Sequence, residues 1–384
     1  MKRRTSVIVV GALVAVSSAA SSVVSAADLI TAANPVEGQY IVVLKPEAAR
    51  LAGENGRAAA VAEMAGRIAA QHRLGLAESY EHVLRGFSVK ADDAALARLL
   101  ADPRVAYVEE NGVVEAMAAP WGLDRIDQRF LPLNGTYLPN RSGAGVHAYI
   151  VDTGINLLHT EFTGRIGNGF DAIGGGLNDC NGHGSNVAAV VGGTTWGVAK
   201  KVTLHPVRVL NCVGSGTTAQ VISGLNWIAA NHIRPAVANI SLGGGASTAL
   251  DTAVTQLIGA GVSVVAAAGS GGANACNFSP GRVLAAITVS ATDRTDTRVA
   301  SANYGTCLDV FAPGKDIPSI SGIVAGGTSM AAPHATGAAA LYLQGNPAAT
   351  PAAVSNAITV NATPGVVINP GLGSPNRLLY IGNF

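Results

Sequence analysis

The sequence predicts an α/β fold of three layers, with helices on both faces of a central, mostly parallel sheet, preceded by a small α+β domain. Three observations carry that prediction. From Gly145 onward, short runs that are apolar throughout alternate with stretches of helical spacing, and strands buried on both faces belong to parallel sheets covered by helices. The 384 residues are 48% hydrophobic and 13% charged, with 47 glycines, which supplies one large core and one small one and excludes a disordered chain. The charge is also divided. Residues 27–117 hold 9 basic and 13 acidic side chains, a net −4, whereas residues 118–384 hold 13 and 11, a net +2. Opposite signs suit two parts that meet, and the overall charge of +1 implies no polyanionic partner such as a nucleic acid.

The elements follow in order. Lys2, Arg3 and Arg4, the apolar run Val7–Val16 and the small residues ending at Ala26 have the layout of a secretory signal, residues 1–26, too short in its apolar part to span a bilayer comfortably. No other segment is apolar over a spanning length, so no membrane association is expected. Residues 37–115 predict a compact α+β unit: strand Gln39–Leu44, an alanine-rich helix over Arg57–Leu74, strand Gly86–Lys90 and a helix over Asp92–Leu100. Pro103 then breaks the chain before strand Val105–Glu109. Ala116–Pro120 carries no pattern and reads as a linker or cleavage site, which divides the chain into 27–117 and 118–384.

Beyond that boundary, strands are expected at Val146–Val151, Val202–Leu210, Ala236–Leu242 and Val262–Ala268. Between them lie a helix starting near Ser185, a second over Thr217–Asn231 and a third over Ser247–Ala260, with Ser247 placed as its cap. Ligands of such sheets bind beyond the carboxyl ends of the strands. All four cysteines, Cys180, Cys212, Cys276 and Cys307, fall in this part. An even count in an exported chain points to disulfides, and of three connectivities the sequential one closes two loops of nearly equal length. Free buried thiols are the plainer alternative; a metal site would need a Cys-x-x-Cys pair, and there is none.

Three strand or helix ends carry reactive side chains. Val151-Asp-Thr-Gly154 puts Asp152 at a strand end, Asn181-Gly-His-Gly-Ser-Asn186 puts His183 between glycines at a helix start, and Gly326-Gly-Thr-Ser-Met-Ala-Ala-Pro333 puts Ser329 at the entrance of a helix. Taken singly, these read as a turn aspartate, a loop histidine and a helix-capping serine. Together they supply a hydrolytic triad: a base to take the serine proton, and a carboxylate to orient the imidazole and stabilise its cation. The helix start behind Ser329 places partial positive charge where an oxyanion would form, with the Ser329 amide as a donor.

These three motifs resemble the signatures of the subtilisin-like serine proteases. Ala119–Gln128, Asp179-Cys-Asn-Gly-His183 and Ser374-Pro-Asn-Arg-Leu-Leu-Tyr380 are similar to the proteinase K and aqualysin branch, and the likeness covers 119–384. Tyr40-Ile-Val-Val-Leu44 and Pro103-Arg-Val-Ala-Tyr-Val-Glu109 resemble the inhibitor-type propeptide of these enzymes. The resemblance implies a subtilisin-like three-layer fold and a secreted endopeptidase made as a zymogen, with polypeptide substrates. It further implies a propeptide that assists folding, blocks the cleft and is cut off around Ala116–Ala119. A monomer is expected.

Further roles come from the same resemblance. Gly214, Ser215 and Gly216 on one side, with Ser241, Leu242 and Gly243 on the other, would flank an extended peptide and bond to its backbone, so specificity should be broad. Ala268 and Gly269 would line the cleft beside them. The branch pairs its cysteines as Cys180–Cys212 and Cys276–Cys307. No cofactor is needed for catalysis, but structural calcium is a family feature. Asp124, Asp127 and Gln128 match part of one site, where Asn134 and Thr136 stand in place of later acidic partners. Asp309 with the carbonyls of Leu284 and Ala286 matches another, and oxygen ligands suit calcium. Ordinary solvated carboxylates are the alternative for both.

The pattern is broken at three places. Relatives have asparagine after the Val264-Val-Ala-Ala-Ala-Gly269 strand, where its amide is the second oxyanion donor; this chain has Ser270. No gap separates Gly269 from Asn277-Phe-Ser-Pro280, so Asn274 does not simply replace it. Ser185-Asn186 stands where relatives have Thr-His, and the loop Ile317–Gly326 is shorter than usual, which leaves the preferred residue before the cut bond open. A lost donor of this kind typically lowers turnover by about 10²–10³-fold. The second reading is therefore a catalytically silent or very slow homologue acting as a peptide-binding protein. An esterase of the α/β-hydrolase type is disfavoured, because the nucleophile lies in Gly-Thr-Ser-Met and follows His183 in sequence.

Overall fold

A computed structural model describes residues 26–32, 35–49, 57–112, 119–318, 320, 322 and 324–384. The signal-like segment up to Val24-Ser25 and most of the expected cleavage region lie outside the described residues. The chain divides into two compact units, Met1–Ala116 and Met117–Phe384.

The first unit is a five-stranded sheet with two helices. Its elements are β1 (Asp28–Ile30), β2 (Pro35–Leu44), α1 (Arg57–His72), β3 (Gly75–Tyr80), β4 (Gly86–Lys90), α2 (Asp93–Leu100) and β5 (Val105–Gly112), in sheet order β1-β5-β2-β4-β3. Alternate residues of β2, Val42 and Leu44, pack with Ile68 of α1 and Leu99 of α2. Asp92 caps α2 through the amide of Ala95, so the helix begins one residue later than its first acidic residue suggested.

The second unit carries α3 (Trp121–Asp127), β6 (His147–Asp152), β7 (Phe170–Asp171), α4 (His183–Gly192), β8 (Thr203–Arg208), α5 (Thr218–Asn231) and β9 (Ala236–Ile240). It continues with β10 (Gly244–Gly245), α6 (Thr248–Gly259), β11 (Ser263–Ala267), β12 (Phe278–Ser279), β13 (Ile287–Thr292), β14 (Val310–Pro313), α7 (Thr328–Gly345), α8 (Pro351–Asn361), β15 (Thr363–Pro364) and β16 (Arg377–Leu378). The main sheet runs β15-β16-β14-β13-β11-β9-β6-β8-β7 and is parallel except at the β15–β16 edge. Ala148 and Ile150 of β6 pack with α4 and α7, whereas Tyr149 and Val151 pack with α5 and α6. Successive strand residues thus feed opposite cores, and three layers result.

Two features of this topology position the chemistry. Strands β6, β9 and β11 are neighbours in register, with Val151 opposite Ile240 and Ile240 opposite Ala266. Their carboxyl ends therefore bring Asp152, Ser241 and the Ala268–Ser270 turn to one edge. Helices α4 and α7, packed on the same face, begin with His183 and Thr328.

Candidate active site

At that edge, Asp152 is fully buried and His183 half-exposed, with His183 Nδ1 2.7 Å from Asp152 Oδ1. An ionised carboxylate only accepts, so Nδ1 carries the proton and Nε2 presents its lone pair. Burial pulls the His183 pKa down, but the charge and hydrogen bond of Asp152, with the charge of Asp179, outweigh it and hold the imidazole above its ordinary value. His183 lines a cavity of about 580 Å³ bounded by Val213–Thr218 and Ser241–Gly245; Ser329, Ser270 and Ala267–Gly269 line a second of about 330 Å³ that shares Ser241–Gly245. The two share that segment and form one continuous cleft.

Ser329 is the second residue of α7, where backbone amides have no acceptor inside the helix. The Thr328 amide turns to Ser270 Oγ at 3.4 Å and the Met330 amide to Gly327 O at 3.0 Å. On the carbonyl side, Pro333 lacks the N–H that a helix would offer to Ser329 O. Ser241 Oγ donates to that oxygen instead at 2.8 Å. Ser241 in turn accepts from Asn239 Nδ2, and Asn239 Oδ1 accepts from Thr336, about two turns further along α7 than Ser329.

Ser270 faces this helix start. Its hydroxyl lies 3.3 Å from Thr328 Oγ1, which already accepts from the Gly269 amide at 3.1 Å. The turn that carries Ser270 is shaped by buried Asn303, which donates to Ala268 O and accepts from the amides of Gly271 and Ala273. A Cβ on Gly269, at φ +94°, would come 2.6 Å from Asn303 Nδ2, so only glycine fits that bend. Asn274 accepts from the Cys276 amide and caps its own short turn. Nothing in the sequence singled out Asn303, because its partners lie some thirty residues upstream. Asn186 leaves a buried side-chain carbonyl oxygen with no hydrogen-bond partner.

Both disulfides, Cys180–Cys212 and Cys276–Cys307, are formed. The first ties the loop before His183 to the Val213–Gly216 edge, and Asn181 Nδ2 adds a bond to Cys212 O at 3.1 Å.

The residues considered for calcium are engaged with protein. Asp124 accepts from the amides of Asn134 and Gly135, and Gln128 Oε1 also accepts from Asn134 N. Asp127 Oδ2 accepts from Leu138 N, while its Oδ1 is buried without a partner. Asp309 accepts from Thr288 N, and burial pushes its carboxyl up to about 6. Leu284 is exposed and Ala286 buried. No three His, Cys, Asp or Glu side chains converge among the described residues, so a cation would draw most of its ligands from carbonyls, as calcium accepts. The orphaned Asp127 oxygen and the raised Asp309 carboxyl fit such an ion.

Comparison with known proteins decides the family. Residues 143–378 match the Subtilase family of peptidases, and residues 39–117 match Peptidase inhibitor I9. The chain belongs to the subtilase family. This subtilase is 60% identical over 313 residues to the Extracellular serine proteinase of Thermus sp. (strain Rt41A), covering 78% of this chain and 76% of that protein. It is 48% identical over 317 residues to Alkaline serine exoprotease A of Vibrio alginolyticus, covering 78% of this chain and 59% of that one. A crystal structure of a cold adapted subtilisin-like serine proteinase superposes with a TM-score of 0.67 at 50% identity, covering 69% of this chain and 98% of the other. The subtilase is accordingly a serine endopeptidase, with an inhibitor-type domain at its amino end.

Proposed function

We propose that this chain is an exported zymogen: residues 1–26 a signal, 27–117 an intramolecular inhibitor and folding aid, and 118–384 the peptidase. Ser329 Oγ attacks the peptide carbonyl, His183 Nε2 takes its proton and returns it to the leaving amine, and Asp152 holds and stabilises the imidazolium. The Ser329 amide and the Ser270 hydroxyl receive the oxyanion. The observation that carries this reading is the 2.7 Å bond between His183 and Asp152, made in the same cleft that Ser329 lines. Hydrogen-bond bookkeeping supports Ser270 as the weaker donor. Thr328 Oγ1 accepts from the Gly269 amide, and either hydroxyl of the Ser270–Thr328 pair can donate to the other; with Thr328 as the donor, the Ser270 proton turns outward.

The peptide would lie between Gly214–Gly216 and Ser241–Gly243, held through its backbone. Asp124, Asp127 and Gln128, and Asp309 with Leu284 and Ala286, would hold structural calcium, which would shield buried carboxylates without entering the reaction. The name of the Thermus relative supports an extracellular location. The second reading, a silent peptide-binding homologue, rests on the Ser270 hydroxyl being engaged with Thr328.

Expression of the full chain beside Ser329→Ala tests the proposal. Wild type is expected to cut itself near residues 116–119 and to react with a serine-directed covalent inhibitor, and Ser329→Ala to do neither, with turnover lowered about 10⁶-fold. An uncut, unreactive wild type favours the peptide-binding reading.

A further inference from the structure

Asp179 is not among the reacting groups, yet its carboxylate gathers five hydrogen bonds from two stretches of chain. Oδ1 accepts from Thr153 Oγ1 and from the amides of Asn181 and Gly182, each at 2.9 Å. Oδ2 accepts from the amide and hydroxyl of Ser185 at 2.9 and 2.6 Å. Two of these donors extend the network. Thr153 Oγ1 also accepts from the Gly184 amide at 2.9 Å, and Ser185 Oγ from the Asn156 amide at 2.9 Å. Thr153 follows Asp152 directly, and Gly182 and Gly184 flank His183. A Cβ on Gly184 would come 2.2 Å from Gly154 O, so the strand end and the helix start meet backbone to backbone at this point.

We propose that Asp179 is the positioning residue of the base: it locks the end of β6 to the start of α4 and thereby sets the Asp152–His183 bond. The inference rests on reading His183 as the general base and goes beyond it. Ser185, where relatives have threonine, keeps the hydroxyl that this network needs. Electrostatics agree, because the Asp179 carboxylate, itself held below the usual range by these bonds despite its burial, adds to Asp152 in raising the His183 pKa. Those two are the acidic groups acting on His183. Arg208 on β8 is engaged elsewhere, with Gly176 O and the sulfurs of Cys180 and Cys212. An asparagine at 179 keeps the shape but turns an NH₂ toward the Ser185 amide, donor against donor.

Mature wild type, Asp179→Asn, Thr153→Val and Thr153→Ser are compared on a chromogenic peptide amide from about pH 5 to pH 9, with melting temperature as the check on folding. Asp179→Asn is expected to lower kcat by about 10–10²-fold with KM within about twofold, and to move the acid limb of the profile to lower pH. Thr153→Val, which cuts the link but leaves the charge, lowers kcat by about 10-fold without moving the limb; Thr153→Ser restores kcat to within about threefold. Asp179→Asn with wild-type kcat and an unmoved limb overturns the inference. If that variant does not fold, a fully active Thr153→Val overturns it. A wild type that is inert to peptide and inhibitor defeats the proposed function instead.

Discussion

The two sides of the cleft are built from different chemistry. On the His183 side stand two carboxylates, Asp152 and Asp179, and the disulfide Cys180–Cys212. The cavity around Ser329 is lined by neutral groups alone, among them Ser241, Ser270, Asn303 and Thr328, and its turn is shaped by the amide of Asn303 rather than by an ion pair. The difference teaches what each side must stabilise. Under the proposed mechanism, the side that becomes a cation during turnover benefits from fixed negative charge, whereas the side that receives an anion needs preorganised dipoles and no carboxylate.

That contrast can be broken from either side. The largest effect is expected from removing the negative charge on the His183 side. Asp152→Asn lowers kcat by about 10⁴-fold with little change in KM, read by steady-state kinetics on a peptide amide. Placing a carboxylate on the neutral side comes next: Ser270→Asp lowers kcat by about 10³-fold or more, and an active variant would contradict the neutral design. Ser270→Asn works in the opposite direction. It supplies the longer amide donor and raises kcat by about 10–10²-fold with KM within twofold; an unchanged kcat means that the hydroxyl already suffices.

The last effect concerns stability and leaves turnover aside. His205 is 1% exposed and bonded to Asn168 O and His147 Nδ1. Burial, aided by His147, depresses its pKa to about 4 against an opposing bond to Asn168. The unfolded chain therefore takes a proton near pH 6.5 that the folded chain refuses until about pH 4, so stability is full above this window and falls as pH drops through it. The loss is on the order of 3 kcal/mol. His205→Gln in the Ser329→Ala background should weaken the dependence of melting temperature on pH there, and buried His334, also depressed to about 4, keeps part of it. His183, with its pKa raised, has the opposite sign: its contribution is present at low pH and lost as pH rises past its folded value.

Much of this architecture was legible because apolar runs announce buried strands. β6, β9 and β11 sit within a residue or two of their expected bounds, and Ser247 caps α6 through the Leu250 amide. β13 was not foreseen, since Ile287-Thr-Val-Ser-Ala-Thr292 alternates polar with apolar like a half-exposed strand. It is wholly buried, because Thr288 and Ser290 donate to Gly281 O and Asn303 O. β3, Gly75–Tyr80, is mostly exposed and carries too little hydrophobic signal. At the site, the reactive side chains lie in glycine-rich motifs visible to the eye. Asp179 sat inside one of those motifs, but its five bonds depend on how the loop folds back upon Thr153, which spacing alone does not tell.

Pro333 deserves a last consequence. By withdrawing one proton from its helix it opens a socket at the peptide of Ser329, and the residue just after β9, Ser241, fills it. The bonds from Ser329 to Ser241, Asn239 and Thr336 return to the same helix, closing a ring. A ring of this kind couples the start of α7 to the end of β9. The backbone of Ser329 and the segment that begins at Ser241 are thereby tied to each other through three hydrogen bonds.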